Sequence, residues 1–205
     1  MSFSTLANFY LTVNRFLEPN QTSTIPDSSM ADLVTIAENK VNKGLRVRDQ
    51  ETALAATINS NGQAAVPSDY LELKFAYINS NPVRKLERKK PEWIYDKYPT
   101  RTQGEEQFIA REGSNFIFGE AGTEGRVVKG IYYAKPTAMT STINSVFSAY
   151  PEVYLFAALS ECEAVIMRDN RVPLWEQKYQ QYLAAANGQD RDEGWSGSDL
   201  AATVG

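Results

Sequence analysis

Apolar residues recur every three or four positions at both ends of this chain, and every second position through its middle. The helical period is clearest late in the chain. Pro151 suits a first helical position, where its missing N–H costs nothing. Leu155, Leu159, Cys162 and Ile166 then follow on one face. The turn Arg168-Asp169-Asn170-Arg171 ends that helix and Pro173 opens the next, whose stripe is Trp175, Tyr179, Tyr182 and Ala186. Asn187-Gly188 offers residues that tolerate the left-handed conformation of a helix stop. At the other end, residues 4–17 place Leu6, Phe9, Tyr10, Val13 and Phe16-Leu17 on the same period. Pro26-Asp27-Ser28-Ser29 opens a second helix with capping residues, Met30, Leu33, Val34, Ile36, Ala37 and Val41 give its apolar face, and Gly44 closes it.

Between these ends the texture shifts toward period two. Residues 51–59 run into Ser60-Asn61-Gly62, a turn that predicts a hairpin. Leu71, Leu73, Phe75 and Tyr77 alternate through residues 70–78, residues 83–88 read as a short strand, and Pro91 starts a short helix. Residues 107–111 and 115–118 predict a hairpin around Glu112-Gly113-Ser114. Residues 126–134 form the strongest strand, with Val127, Ile131 and Tyr133 on one face, and Pro136 ends it. Residues 188–205 show no period. The pattern therefore predicts an α+β protein: an antiparallel helical bundle from residues 1–44 and 148–187, a β-rich insertion at 45–136, and an extended C-terminal tail at 188–205.

Composition narrows the function more than the fold. At 205 residues the chain can bury a core without staples, and its 42% hydrophobic and 22% charged residues are ordinary for a globular protein. No apolar run is long enough to span a membrane, and Met1-Ser2-Phe3-Ser4 does not start a signal peptide, so the expectation is a protein made in a cytoplasm. Cys162, the single cysteine, sits on an apolar stripe and reads as a small hydrophobe. There is no histidine, which removes the commonest acid–base group and most nucleophile–base pairs. The acid pairs Glu105-Glu106 and Asp192-Glu193 lie in hydrophilic stretches and read as solvated. The glycine-rich residues 119–125 lack the Gly-Lys-Ser/Thr ending of a phosphate loop and precede a strand. The expectation is no enzyme, no cofactor and no metal.

Two features point to binding. Arg84, Lys85, Arg88, Lys89 and Lys90 form a basic run with Trp93 and Tyr95 close behind, as a nucleic-acid patch would. An edge strand guarded by lysines, or the basic half of a subunit contact, accounts for it equally simply. The net charge of −4 favours those readings over a nucleic-acid coat. The C-terminal residues carry Asp190, Asp192, Glu193 and Asp199 against Arg191, and a lone Trp195 flanked by small residues. An aromatic residue in such a segment suits an anchor that fills a partner's pocket.

The order of several phrases resembles a known family. Leu45-Arg46-Val47-Arg48 and Val66-Pro67-Ser68-Asp69-Tyr70-Leu71-Glu72-Leu73 are followed by Arg84-Lys85-Leu86-Glu87 and Ile131-Tyr132-Tyr133-Ala134-Lys135-Pro136. Tyr150-Pro151-Glu152-Val153-Tyr154-Leu155, Trp175-Glu176-Gln177-Lys178-Tyr179 and Trp195-Ser196-Gly197-Ser198 close the series. Together they resemble the head-to-tail adaptor (connector) proteins of short-tailed bacteriophages. The resemblance implies a structural virion protein of the neck that forms a ring, generally a dodecamer, beneath the portal of the DNA-filled head. It implies contact with tail nozzle or tail fibre proteins and passage of double-stranded DNA through the ring. Under it, Asp190, Arg191, Trp195, Ser196 and Leu200 are expected to meet the portal, and Trp175, Tyr179 and Tyr182 the neighbouring subunit. Arg84, Lys85, Arg88, Lys89 and Lys90 would meet the tail or nucleic acid. The rival reading is a DNA-binding head-completion protein that uses residues 84–90.

Overall fold

The structure, a computed structural model, describes residues 3–17, 25–100, 102, 104–140, 142–164 and 169–195; side chains at 164 and 191–195 fall outside that description. In chain order the elements are α1 (Leu6–Leu17), α2 (Asp27–Gly44), β1 (Glu51–Thr57), β2 (Ala64–Ala65), β3 (Tyr70–Ile78), β4 (Arg84–Arg88) and α3 (Pro91–Lys97). They continue as β5 (Phe108–Glu112), β6 (Asn115–Phe118), β7 (Val127–Ala134), α4 (Ser145–Ala149), α5 (Pro151–Ser160) and α6 (Val172–Trp195). The chain divides into two units, residues 1–49 with 136–205, and residues 50–135. No described helix is long and apolar enough to cross a membrane.

The helical unit is organised around α5. Its residues Val153, Tyr154, Leu155, Ala157, Ala158, Leu159 and Ser160 are all buried, and only Glu152 and Phe156 are half-exposed. A helix apolar all round belongs inside a core, and α1, α2, α4 and α6 pack against it. Phe9 and Phe147 meet edge to face at 5.1 Å, and Phe147 meets Tyr154 at 5.2 Å. Each such aromatic pair adds about 0.5–1.5 kcal/mol to what burial contributes. Local chemistry sets the starts. Asn144 caps α4, its Oδ1 accepting the Phe147 N–H at 2.8 Å. Pro151 occupies the first turn of α5 as its fixed φ favours. At α2 the cap position falls to Pro26, which offers no side-chain bond, and Asp27 instead places its charge in the first turn.

In the second unit seven strands form one sheet in the order β1-β7-β3-β4-β5-β6-β2. All neighbours are antiparallel except β4 and β5, which are parallel and are joined through α3. A parallel pair cannot be joined by a tight turn, which is why a helix sits there. A bridge from Ile58, just past β1, to Ala64 in β2 nearly closes the sheet on itself. The enclosed core includes Leu54, Ile58, Leu73, Ile78, Phe116, Phe118 and Val128. Ile94 of α3 packs with Ala110 and Ile117 in a smaller cluster covered by Trp93 and Phe108.

The protein is thus α+β, but not the expected helical bundle with a β insertion and an extended tail. The strands make a nearly closed, barrel-like sheet with its own core, because β1 pairs with the last strand, β7, while its far end reaches β2. The helices surround one short buried helix rather than pairing along amphipathic faces. The basic strand β4 lies inside the sheet between β3 and β5, not at an edge.

Candidate interaction surfaces

The aromatic stripe of α6 is mostly spent inside its own chain. Trp175 and Tyr179 are buried in the helical core. The Arg171 guanidinium lies 4.7 Å above the Trp175 ring, donates to both carboxylate oxygens of buried Asp169, and donates to the Phe16 carbonyl at 2.8 Å. Tyr179 donates its hydroxyl to the Lys40 carbonyl at 3.2 Å, and burial pushes its pKa up to about 12. Lys40 is the hub of this region. Its ammonium donates to Ser160 at 2.8 Å, Glu161 at 2.6 Å and Glu176 at 2.5 Å, tying α2 to α5 and α6. Burial alone would lower the Lys40 pKa, but the hydrogen bonds to Glu161 and Glu176 outweigh it and raise the value. Tyr182 differs from the rest of its stripe. It is 38% exposed and stacks on Phe156 at 5.3 Å.

Residues that read as a helix stop do not stop α6. Asn187 accepts the Arg46 N–H at 2.8 Å and donates to the Gly44 carbonyl at 3.1 Å, satisfying an orphan group at the end of α2. Asp190 accepts the Arg48 N–H at 2.8 Å, and the Arg48 guanidinium donates to the Asp190 carbonyl at 3.2 Å. Side chains satisfied from outside no longer compete with the helical backbone, and α6 runs on to Trp195. The expected extended tail is therefore helical over 188–195, and Asp190 binds Arg48 rather than standing free. Arg191 and Trp195 lie in the last turns of α6 with side chains outside the description, and Ser196 and Leu200 lie outside the described residues.

The basic run is partly neutralised where it stands. Arg84 pairs with Glu105 at 2.7 Å, Arg88 with Glu72 at 3.3 Å, and Lys89 with Glu87 at 2.5 Å. Lys85 and Lys90 are exposed and make no ion pair among the described residues. Lys89 and Lys97 lie 5.0 and 4.9 Å from the Trp93 ring. The unit as a whole is near neutral, with twelve Lys and Arg against eleven Asp and Glu over residues 50–135.

Within the Glu105-Glu106 pair, Glu106 is not solvated as its polar surroundings predict. Glu106 is fully buried, accepting the Thr123 N–H at 2.7 Å on one oxygen and Arg126 at 2.7 Å on the other. It holds the glycine-rich loop to the start of β7. The signal was an arginine at the far end of that loop, with an acid two residues before β5.

A family model described as SU10 adaptor protein matches residues 4–202, nearly the whole chain. The chain belongs to the SU10 adaptor protein family. No curated protein matches it. The adaptor is accordingly a phage structural protein and a component of the virion, which works in association with other virion proteins. The resemblance carried by the phrases from residue 45 onward is thereby established at the level of the family.

Proposed function

We propose that this adaptor assembles as a dodecameric ring beneath the portal, extends the DNA channel, and joins head to tail in the neck of the virion. It acts by assembly rather than by chemistry. The family match over residues 4–202 carries this reading. The course of α6 supports it, because the helix continues past the buried Trp175 and Tyr179 to Trp195. In this reading Arg191, Trp195, Ser196 and Leu200 meet the portal, with Trp195 as the aromatic anchor. Asp190 ties the far half of α6 to Arg48. The strand unit meets the tail proteins, and Lys85 and Lys90, whose charges are not paired locally, are its contact cations.

The test is negative-stain imaging and mass measurement of the full chain, alone and with its cognate portal. Rings seated on the portal with the native chain, and lost with Trp195→Ala, are the expected result. A monomer indifferent to the portal but retained on duplex DNA at low salt would overturn the reading. It would transfer the function to residues 84–90 as a DNA-binding head-completion protein.

A further inference from the structure

Two Asn-Gly dipeptides occur in this chain, Asn61-Gly62 and Asn187-Gly188, and the fold treats them in opposite ways. The pair is chemically labile because glycine has no Cβ to keep its backbone nitrogen away from the asparagine Cγ. Asn187 is held fast. It lies inside α6, where its Oδ1 accepts the Arg46 N–H at 2.8 Å and its Nδ2 donates to the Gly44 carbonyl at 3.1 Å. A helical ψ also turns the next nitrogen away from Cγ. Asn61 has none of this support. It stands exposed in the turn between Ile58 and Ala64, and its side-chain amide makes no hydrogen bond among the described residues. Gly62 follows with φ of +69°, and its N–H donates to the Asn59 carbonyl at 2.9 Å. The Asn59 Oδ1 accepts the N–H groups of Asn61 at 3.0 Å and Gln63 at 3.1 Å. One residue, Asn59, therefore restrains both the labile amide's backbone and the nitrogen that would attack it.

We propose that Asn61 is a site of spontaneous modification in the folded protein, its amide converting to aspartate and isoaspartate at a rate set by Asn59, while the fold keeps Asn187 intact. When the Gly62–Asn59 bond opens, the Gly62 nitrogen gives its proton to solvent base and attacks the Asn61 Cγ. The N–Cγ bond forms, the Cγ–Nδ2 bond breaks, and Nδ2 leaves as ammonia after taking a proton from water. Water then opens the cyclic imide at either carbonyl. The net change consumes one water and releases one ammonia, with nothing oxidised or reduced. Each event puts a negative charge on the turn, and isoaspartate also lengthens the main chain by one methylene. The turn has no room for that. Gly62 is buried, its carbonyl accepts the Gly122 N–H at 3.2 Å, and a Cβ on it would lie 2.9 Å from the Ala121 Cβ. The lengthened chain pushes Gly62 off this contact and loosens the Ile58–Ala64 bridge, so the seam of the sheet opens as the protein ages.

The test incubates the full chain at mildly alkaline pH, folded and in concentrated urea. Peptide mapping by mass spectrometry that resolves aspartate from isoaspartate follows both sites. In urea the two sites should convert at similar rates, and in the folded chain Asn61 should convert at least tenfold faster than Asn187. Asn59→Ala should speed conversion at Asn61 severalfold and leave Asn187 unchanged, with folding checked by circular dichroism. Asn59→Asp keeps an oxygen for both N–H groups and should stay near the native rate, so Asn59 remains testable if the alanine variant unfolds. An Asn61 that stays intact in the folded chain while converting in urea would overturn the proposal, as would an Asn187 that keeps pace with it. Equal rates at Asn61 in the native chain and a folded Asn59→Ala would overturn the role given to Asn59.

Discussion

The buried pair of Glu106 and Arg126 allows a prediction in which the order of effects matters more than their size. Glu106 is fully buried, whereas the Arg126 side chain keeps 37% of its exposure. Removing the arginine with Arg126→Ala leaves a carboxylate inside the protein that still accepts the Thr123 N–H. An uncompensated buried charge costs about 3–5 kcal/mol. Removing the acid with Glu106→Ala is milder, because the guanidinium turns to water. What is lost then is the packing and the Thr123 bond, about 1–3 kcal/mol. The double variant has no stranded charge and is expected to resemble Glu106→Ala. The coupling in the cycle then equals the whole Arg126→Ala loss, about 3–5 kcal/mol, with Arg126→Ala the least stable of the three. Urea unfolding read by the fluorescence of Trp93, the sole tryptophan of residues 50–135, gives the three values in a Trp175→Phe, Trp195→Phe background. If Arg126→Ala costs no more than Glu106→Ala, or if the two losses simply add, the account of a desolvated acid held by one cation is wrong.

Four further outcomes are expected. Gly130→Ala places a Cβ 2.1 Å from the Phe75 carbonyl oxygen and 2.9 Å from the Ala76 Cα, so β3 and β7 must separate. It should cost about 2–3 kcal/mol or more and speed amide exchange in both strands; unchanged exchange would refute the close approach. At Glu176, burial raises the carboxyl pKa but hydrogen bonds from Lys40 and Gln180 prevail and lower it. Its contribution is therefore present above the ordinary carboxylate range and lost as the pH falls below about 4. The stability gap between the native chain and Glu176→Gln should close in acid, and a gap that widens there contradicts the sign. Burial, helped by Asp169, pushes the Cys162 thiol up to about 11, so an aromatic disulfide reagent should react with it only in denaturant. Asn187→Ala strands the Arg46 N–H and should cost about 1–2 kcal/mol, with faster exchange in α6 beyond residue 187; protection that persists there refutes its role in carrying the helix on.

Local signals were legible where one residue type decides the backbone. Pro151 and Pro91 mark helix starts, Gly113 with φ of +57° marks the β5–β6 turn, and the apolar face of α2 is buried at Met30, Leu33, Val34, Ala37 and Val41. What failed depended on partners far along the chain. The stripe of Leu155 and Leu159 seemed to define one face of α5, yet Val153, Tyr154, Ala157, Ala158 and Ser160 on its other faces are buried too. Asn187 looks like a breaker because its side chain usually competes for local backbone, and here Arg46 and Gly44 occupy it instead. Glu106 seemed solvated because the run before it is polar, while its cation stands twenty residues later. Among the predicted interaction residues, Trp175 and Tyr179 carry the composition of an interface but face inward.

The helical unit is assembled from two stretches that the ribosome makes far apart. Between the end of α2 at Gly44 and the start of α5 at Pro151 the whole strand unit must be synthesised. At about 5–20 residues per second, the roughly one hundred intervening residues take on the order of 5–20 s. Through that interval α1 and α2 have emerged without the helix that covers Phe9, Val13, Leu33 and Val41. The sheet faces a similar wait, since β1 has no ladder partner until β7 is made. Apolar surface on a nascent adaptor is thus open for seconds before any of it is buried, and a host chaperone has its opportunity in that window. Yield in the cell would then answer to translation speed across residues 45–150, a stretch that contributes none of the helical core's buried side chains except Leu45, Val47, Met139, Val146 and Phe147.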